Sequence, residues 1–285
     1  MEILQLALFG LVLGGIISLG AIGVSLLFGI LRFAHFAHGD LMTVGAYAAL
    51  ALVAVGWPIW AAFPVAVLAG ILVALAVDAL VYRRLRRTAP VILLISSVGV
   101  ALILRSLIQI IWGADTQVYD QALQFPLRFW GLRLKWNQFY ILLGSVGLVV
   151  LVHVFLQHTR LGKAMRAMAD NPDLARLSGI DTERVILYTW CLGAGLAVAA
   201  GIFLGIDTRL QPTMGWHLLL PVFAATILGG IGKPYGAIVG GMVVGLASEL
   251  STVVLPPAYK TAVAFAIMVV MLVVKPSGLF GGGRR

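Results

Sequence analysis

Nine apolar runs dominate the chain. They lie near residues 3–30, 36–55, 58–81, 90–112, 138–157, 185–206, 216–231, 235–254 and 258–274. A helix needs about 20 apolar residues to cross a hydrocarbon core, and most of these runs reach that length. Composition points the same way. The chain is 61% hydrophobic and 11% charged, with a mean hydropathy of +1.04, whereas a soluble domain is roughly 25% charged. A soluble monomer cannot hide that much apolar surface from water. An ordinary cytosolic enzyme is therefore excluded, and so is intrinsic disorder, which needs low hydrophobicity. The expectation is an all-α polytopic integral membrane protein, one transmembrane domain over residues 1–285. Two runs are weak: 216–231 is short and contains Pro221, and 36–55 begins with polar residues. Either is a candidate for a broken or re-entrant helix, so the expected count is eight or nine spans. The lone cysteine, Cys191, excludes a disulfide framework and any cysteine-based zinc or iron–sulfur site.

The net charge of +9 would suggest nucleic acid in a soluble protein. Here the basic residues sit between apolar runs and read instead as orientation signals. With Tyr82-Arg83-Arg84-Leu85-Arg86-Arg87 assigned to the cytoplasm, nine spans place 14 of the Lys and Arg residues on that side. Five (Arg128, Arg133, Lys135, Arg209 and Lys260) fall on the other, and Arg105 lies inside a span. This bias predicts an outer N-terminus and a cytoplasmic C-terminus. The first run lacks the basic start and small-residue cleavage site of a signal peptide, so no cleavage is expected.

No long soluble region and no phosphate-binding G-x-x-x-x-G-K-[ST] motif occurs. If ATP drives this protein, the ATPase is another chain. The most informative linker is 158–184. Leu161, Ala164, Met165 and Met168 recur at helical spacing with Arg160, Lys163 and Arg166 between them, the pattern of a surface amphipathic helix. Asn171 can cap a second helix that starts at Pro172, with Asp173 in its first turn. Gly179 can end that helix in left-handed geometry, and Asp181 can cap the next. A small, sharply bounded helix of this kind suits docking into a partner's groove. An ordinary inter-span loop fits the same residues.

Between the first two runs, His35, His38 and Asp40 invite a metal reading, but two His and one Asp are too few without a fourth ligand. A hinge is the simpler account. Transporters place substrate contacts at broken segments, which makes Phe33, His35, Phe36 and Asp40 pathway candidates. Glycines at four-residue spacing predict close helix packing: Gly201 with Gly205, Gly232 with Gly236 and Gly240, and Gly241 with Gly245. Pro234 should break the glycine-rich run from the segment before it. Arg105, one turn from Gln109, is expected to face the bundle or snorkel outward. Asp78 is expected in an interfacial ion pair near the arginine cluster, and Glu249 at an interface or cavity. No catalytic constellation appears, so an enzyme is not expected.

Four ordered blocks, spanning nearly the whole chain, resemble the LivH-type permease subunits of branched-chain amino acid ABC importers. They are FGILRFAHFAHGDLMTVGAY from residue 28, RLGKAMRAMADNPDLARLSGIDTERV from 160, ATILGGIGKPYGAIVGGMVVGLASE from 225 and VVMLVVKPSGLFG from 269. The resemblance implies a bacterial inner-membrane permease paired with a second, LivM-like permease. It also implies two LivG/LivF-like ATP-binding subunits, which would hold ATP and Mg, and a periplasmic or extracellular binding protein. This chain itself would carry no cofactor. The family's ATPase-coupling loop maps onto Ala169, Asp170, Asn171, Pro172, Leu174, Ala175, Leu177, Ser178 and Gly179. One departure is local: Ala79 and Arg84 stand where relatives often carry arginine and proline. Related permeases carry urea, short amides or other amino acids. An autonomous carrier or channel, and a membrane subunit with no pathway, are the readings from other classes.

Overall fold

The computed structural model describes residues 2–86, 88–119, 132–281 and the backbone of 127–129. Among the described residues, nine helices pack side by side: α1 (Glu2–Leu31), α2 (Ala37–Ala54), α3 (Ile59–Val77), α5 (Pro90–Trp112), α6 (Trp136–His158), α9 (Thr182–Asp207), α10 (Met214–Gly229), α11 (Pro234–Leu250) and α12 (Lys260–Val274). Eight are long and apolar enough to cross a membrane, counting α3 through to Leu85. The ninth, α10, is a shorter apolar helix. It runs unbroken through Pro221. Beyond α3, a π-helical turn (Asp78–Tyr82) leads into the short α4 (Arg83–Leu85). A two-stranded antiparallel hairpin, β1 (Leu127–Phe129) with β2 (Leu132–Leu134), decorates the linker after α5. The linkers sort to two ends. Arg32 touches Ala169, Arg86 touches Glu183, and Gly230 approaches Gly281 at one end. At the other, Gln5 binds Arg133, and Gln117 pairs with Leu210. Of the residues used to assign orientation, Arg87, Arg284, Arg285 and the side chain of Arg128 lie outside the described residues.

α1 and α9 form the buried centre, whereas α3, α5, α6 and α12 present most of their side chains outward. Exposed leucine, isoleucine and valine are what lipid requires of an outer helix. Helices in lipid gain no hydrophobic energy by meeting, so their association depends on close packing. The glycines supply it. A Cβ at Gly241 or Gly245 would strike the backbone of Ser18 or Gly14 on α1, and one at Gly236 or Gly240 would strike Gly229 or Ala225 on α10. α11 is thus held on two faces by two neighbours. Gly201 meets the backbone of Met42 on α2, and Gly205 lies against Leu210 and Tyr119. Gly232 departs from the expectation of a shared helix face. It sits in the turn before α11 with φ +77° and approaches Gly29, because Pro234 starts the helix two residues later.

The weak second run begins inside the bundle. α1 ends at Leu31, Arg32 turns the chain with φ +59°, and residues 32–36 fold back along α1. His38 Nε2 comes to 3.2 Å from the carbonyl of Gly20. Gly20 precedes the end of α1 by about 16 Å of helix rise. The polar start of this run therefore lies at membrane depth, buried against protein, where irregular backbone is tolerated.

Candidate functional site

The segment 158–184 forms as its local chemistry dictates. Thr159 caps α7 (Arg160–Asp170), its Oγ1 accepting from the Gly162 amide at 2.9 Å. Met165 and Met168 are buried, while Lys163 and Arg166 face out. Asn171 Oδ1 accepts from the amides of Asp173 and Leu174, both at 3.1 Å, and so starts α8 (Pro172–Leu177) with Pro172 at its first position. Gly179 ends it with φ +80°, and the Ile180 amide returns to the Ala175 carbonyl. Asp181 Oδ1 then accepts from the Arg184 amide at the start of α9. Ala175 faces inward. Leu174 and Leu177 do not: they are 60% and 85% exposed. Asp170 and Ser178 are exposed beside them. Ala169 anchors the base, its carbonyl accepting from Arg32 Nη2 at 2.8 Å. The expected coupling residues thus form one contiguous projection.

The four pathway candidates separate into two groups. Phe33 and His35 turn toward the α7–α8 end, where His35 Nε2 lies 3.1 Å from the Tyr82 hydroxyl and Tyr82 stacks on Trp190. Phe36 and Asp40 turn toward α5 and α10. The Phe36 amide donates to Ser97 Oγ on α5, and its ring meets Trp216 and Phe223 on α10. Asp40 has no exposed surface and receives two hydrogen bonds from Arg105, Nε at 3.0 Å and Nη2 at 3.1 Å. The Arg105 guanidinium also lies over Trp216, 4.9 Å from the ring centre. Trp216 carries no sequence signal of its own. Arg105 does, since a charge inside a span demands a partner, but the sequence does not say which acid supplies it.

The ionisable residues singled out in and beside the spans all have partners, Asp78 in the ion pair near the arginine cluster that the sequence predicts. Arg105 pairs with Asp40. Arg86 bridges Asp78 at 2.5 Å and Glu183 at 2.9 Å, tying α3 to the first turn of α9. Lys260 reaches Glu249 at 2.6 Å near the opposite end. Burial favours such pairing because an unpaired charge in a low-dielectric interior is costly. Among the described residues, no group of three or more His, Cys, Asp or Glu is placed to hold a metal ion.

Comparison with known proteins agrees with this architecture. The high-affinity branched-chain amino acid transport system permease protein LivH of Escherichia coli K12 is 31% identical to this chain, over 98% of this chain and 95% of its own length. BraD of Pseudomonas aeruginosa, a permease protein of the same description, is 28% identical over the same shares. Among solved structures, a chain of PsaBC from Streptococcus pneumoniae, in complex with Fab, matches with a TM-score of 0.57. It covers 98% of this chain and 94% of that chain at 15% identity, a likeness of fold alone. The family model for the permease component of the branched-chain amino acid transport system matches residues 6–272, and the chain belongs to that family.

Proposed function

We propose that this chain is the membrane-spanning permease subunit of an ATP-driven importer of branched-chain amino acids. It forms half of the translocation pathway, and a second, LivM-like permease forms the other half. Two ATP-binding subunits, LivG/LivF-like, hold ATP and Mg and dock at the α7–α8 end, which faces the cytoplasm. The N-terminus lies outside, where a binding protein delivers substrate. The observation that carries the reading is α8. Its caps fix where it starts and stops, yet Leu174 and Leu177 are left exposed on a projection beyond the apolar helices. Exposed leucines on a capped helix suit insertion into a groove. ATP-driven closure of the ATPase pair would move α8, and α9 follows it after a single turn. The Arg86 bridge passes that movement to α3.

The test is mild-detergent purification of the tagged chain from its host, followed by reconstitution into vesicles. Recovery of ATP-binding subunits and a second permease is expected, with ATP-dependent uptake of leucine, isoleucine or valine once binding protein is added. Recovery of this chain alone, under conditions that keep other ABC complexes intact, would overturn the proposal. Uptake by this chain alone on an ion gradient would do the same.

A further inference from the structure

Arg105 occupies a position that neither lipid nor stability explains. It is the sixteenth residue of the 23-residue α5, about 6 Å past the helix midpoint at 1.5 Å rise per residue. Charged groups at that depth face protein or a water-filled path, not acyl chains. The Arg105 side chain is nevertheless 16% exposed. The surface it reaches is therefore not a lipid surface. Stability alone does not call for a charge pair here, since apolar replacements of buried ion pairs are often as stable or more so.

The guanidinium is held on two sides and open on a third. Asp40 accepts from Nε and Nη2, and Trp216 lies against one face. Among the described residues, Nη1 donates to no partner. A guanidinium carries five donors in a planar fork that matches a carboxylate. Here Asp40, fully buried, fixes the fork and leaves one edge over. Beside it runs an apolar wall. Trp216 and Leu220 stand one turn apart on α10, 36% and 40% exposed, and Phe223 follows on the next turn with Phe36 against it. A cationic head joined to an aromatic and aliphatic wall is the complement of a small molecule with a carboxylate at one end and an apolar group at the other.

We infer that the Nη1 edge of Arg105 takes the carboxylate of an apolar amino acid in transit, with its side chain on the wall of Phe36, Trp216, Leu220 and Phe223. Asp40 is the positioning residue that orients the guanidinium. The inference rests on the importer reading above and names the contact within its pathway.

The experiment uses the reconstituted complex with its binding protein and radiolabelled L-leucine. D40N/R105Q removes both charges, with an isosteric amide at position 40 and a shorter, uncharged amide at position 105 that still donates hydrogen bonds. Leucine uptake should fall about ten- to a hundred-fold, the loss expected for a hydrogen bond to a charged group. The charge swap D40R/R105D preserves an ion pair and would rescue a purely structural role. Here it should not rescue uptake, because the guanidinium would be buried at position 40. A p-benzoylphenylalanine at Leu220 should capture labelled leucine on illumination during ATP turnover, and this arm keeps the native ion pair if the charge variants fail to assemble. Uptake within about two-fold of wild type in either charge variant, or no capture at position 220 in a transporting complex, would overturn the inference and leave the importer reading standing. A wild-type complex that takes up none of leucine, isoleucine and valine would instead overturn the importer reading, and this contact with it.

Discussion

The seam on either side of α11 and the projection at α8 treat side chains in opposite ways. In the seam, side chains are removed. Gly241 and Gly245 let α11 lie on the backbone of α1, and Gly236 and Gly240 do the same against α10. At α8, two leucines are kept and left uncovered, while Asn171 and Gly179 spend their chemistry on fixing where the helix starts and stops. Contact inside the bundle comes from close backbone approach, because lipid offers no hydrophobic drive between helices. At the projection the apolar surface is available for a partner to cover. One region is complete within this chain, and the other, on the proposed reading, is completed by a second.

The largest effect that tests this contrast is expected at Gly241. Gly241→Leu would place carbon on the backbone of Ser18, and α1 cannot yield without disturbing the centre of the bundle. The cost should reach or exceed the top of the roughly 1–3 kcal/mol range typical of overpacking. Size-exclusion chromatography in detergent should show loss of the monodisperse peak. A variant that elutes and melts like wild type would mean that α11 does not pack as closely as described.

Leu177→Asp should do the reverse, leaving the bundle intact and breaking function. The side chain is 85% exposed, so the melting temperature of the isolated chain should not move. In the assembled importer, uptake and substrate-stimulated ATP hydrolysis should drop roughly thirty-fold or more, the scale of an interface residue worth about 2 kcal/mol. Unchanged uptake would make α8 an ordinary surface turn and remove the contrast altogether.

The two regions also differed in how far the sequence alone could be read. α8 was legible in detail, because a cap, a proline and a left-handed glycine act within a few residues of one another. Asn171, Pro172, Gly179 and Asp181 each take the role their chemistry predicts. The seam was legible only as a spacing. Which helix each glycine meets depends on the tertiary arrangement, and Gly232 fell outside the helix because the proline two residues on sets its start. The Asp40–Arg105 pair was the least legible. Its members lie 65 residues apart, and nothing local joins them. Phe33, His35, Phe36 and Asp40 formed one group by adjacency, but the fold-back after Arg32 and the start of α2 send them to two sides of the helix.

Smaller effects separate the caps from the leucines they hold. Asn171→Ala removes two hydrogen bonds to backbone amides. Gly179→Ala places a side chain at φ +80°, with open space around it, so the penalty is conformational and not steric. Each should loosen α8 by about 1 kcal/mol. Amide hydrogen exchange at residues 174–178 should rise about five-fold per variant, as such a change in local opening requires, with α1 and α9 unaffected. If exchange in α9 rises as well, α8 and the bundle open together, and the projection is less independent than its caps suggest.

The smallest effect is expected at a glycine with no neighbour to admit. Gly147 lies on the exposed face of α6, with helical backbone and nothing within 4 Å of an added Cβ. By the logic of the seam, a glycine that lets nothing approach contributes nothing to packing and retains only its entropic penalty in a helix. Gly147→Ala should therefore stabilise the isolated chain slightly, by up to about 0.5–1 kcal/mol. The measurement is a pair of melting curves, one for the isolated chain and one for the assembled importer. A gain in both would confirm that this face of α6 meets lipid. A gain in the isolated chain with a loss in the assembly would place the second permease against α6, and the exposed glycine would then belong with Leu174 and Leu177, as surface that this chain leaves for another to cover.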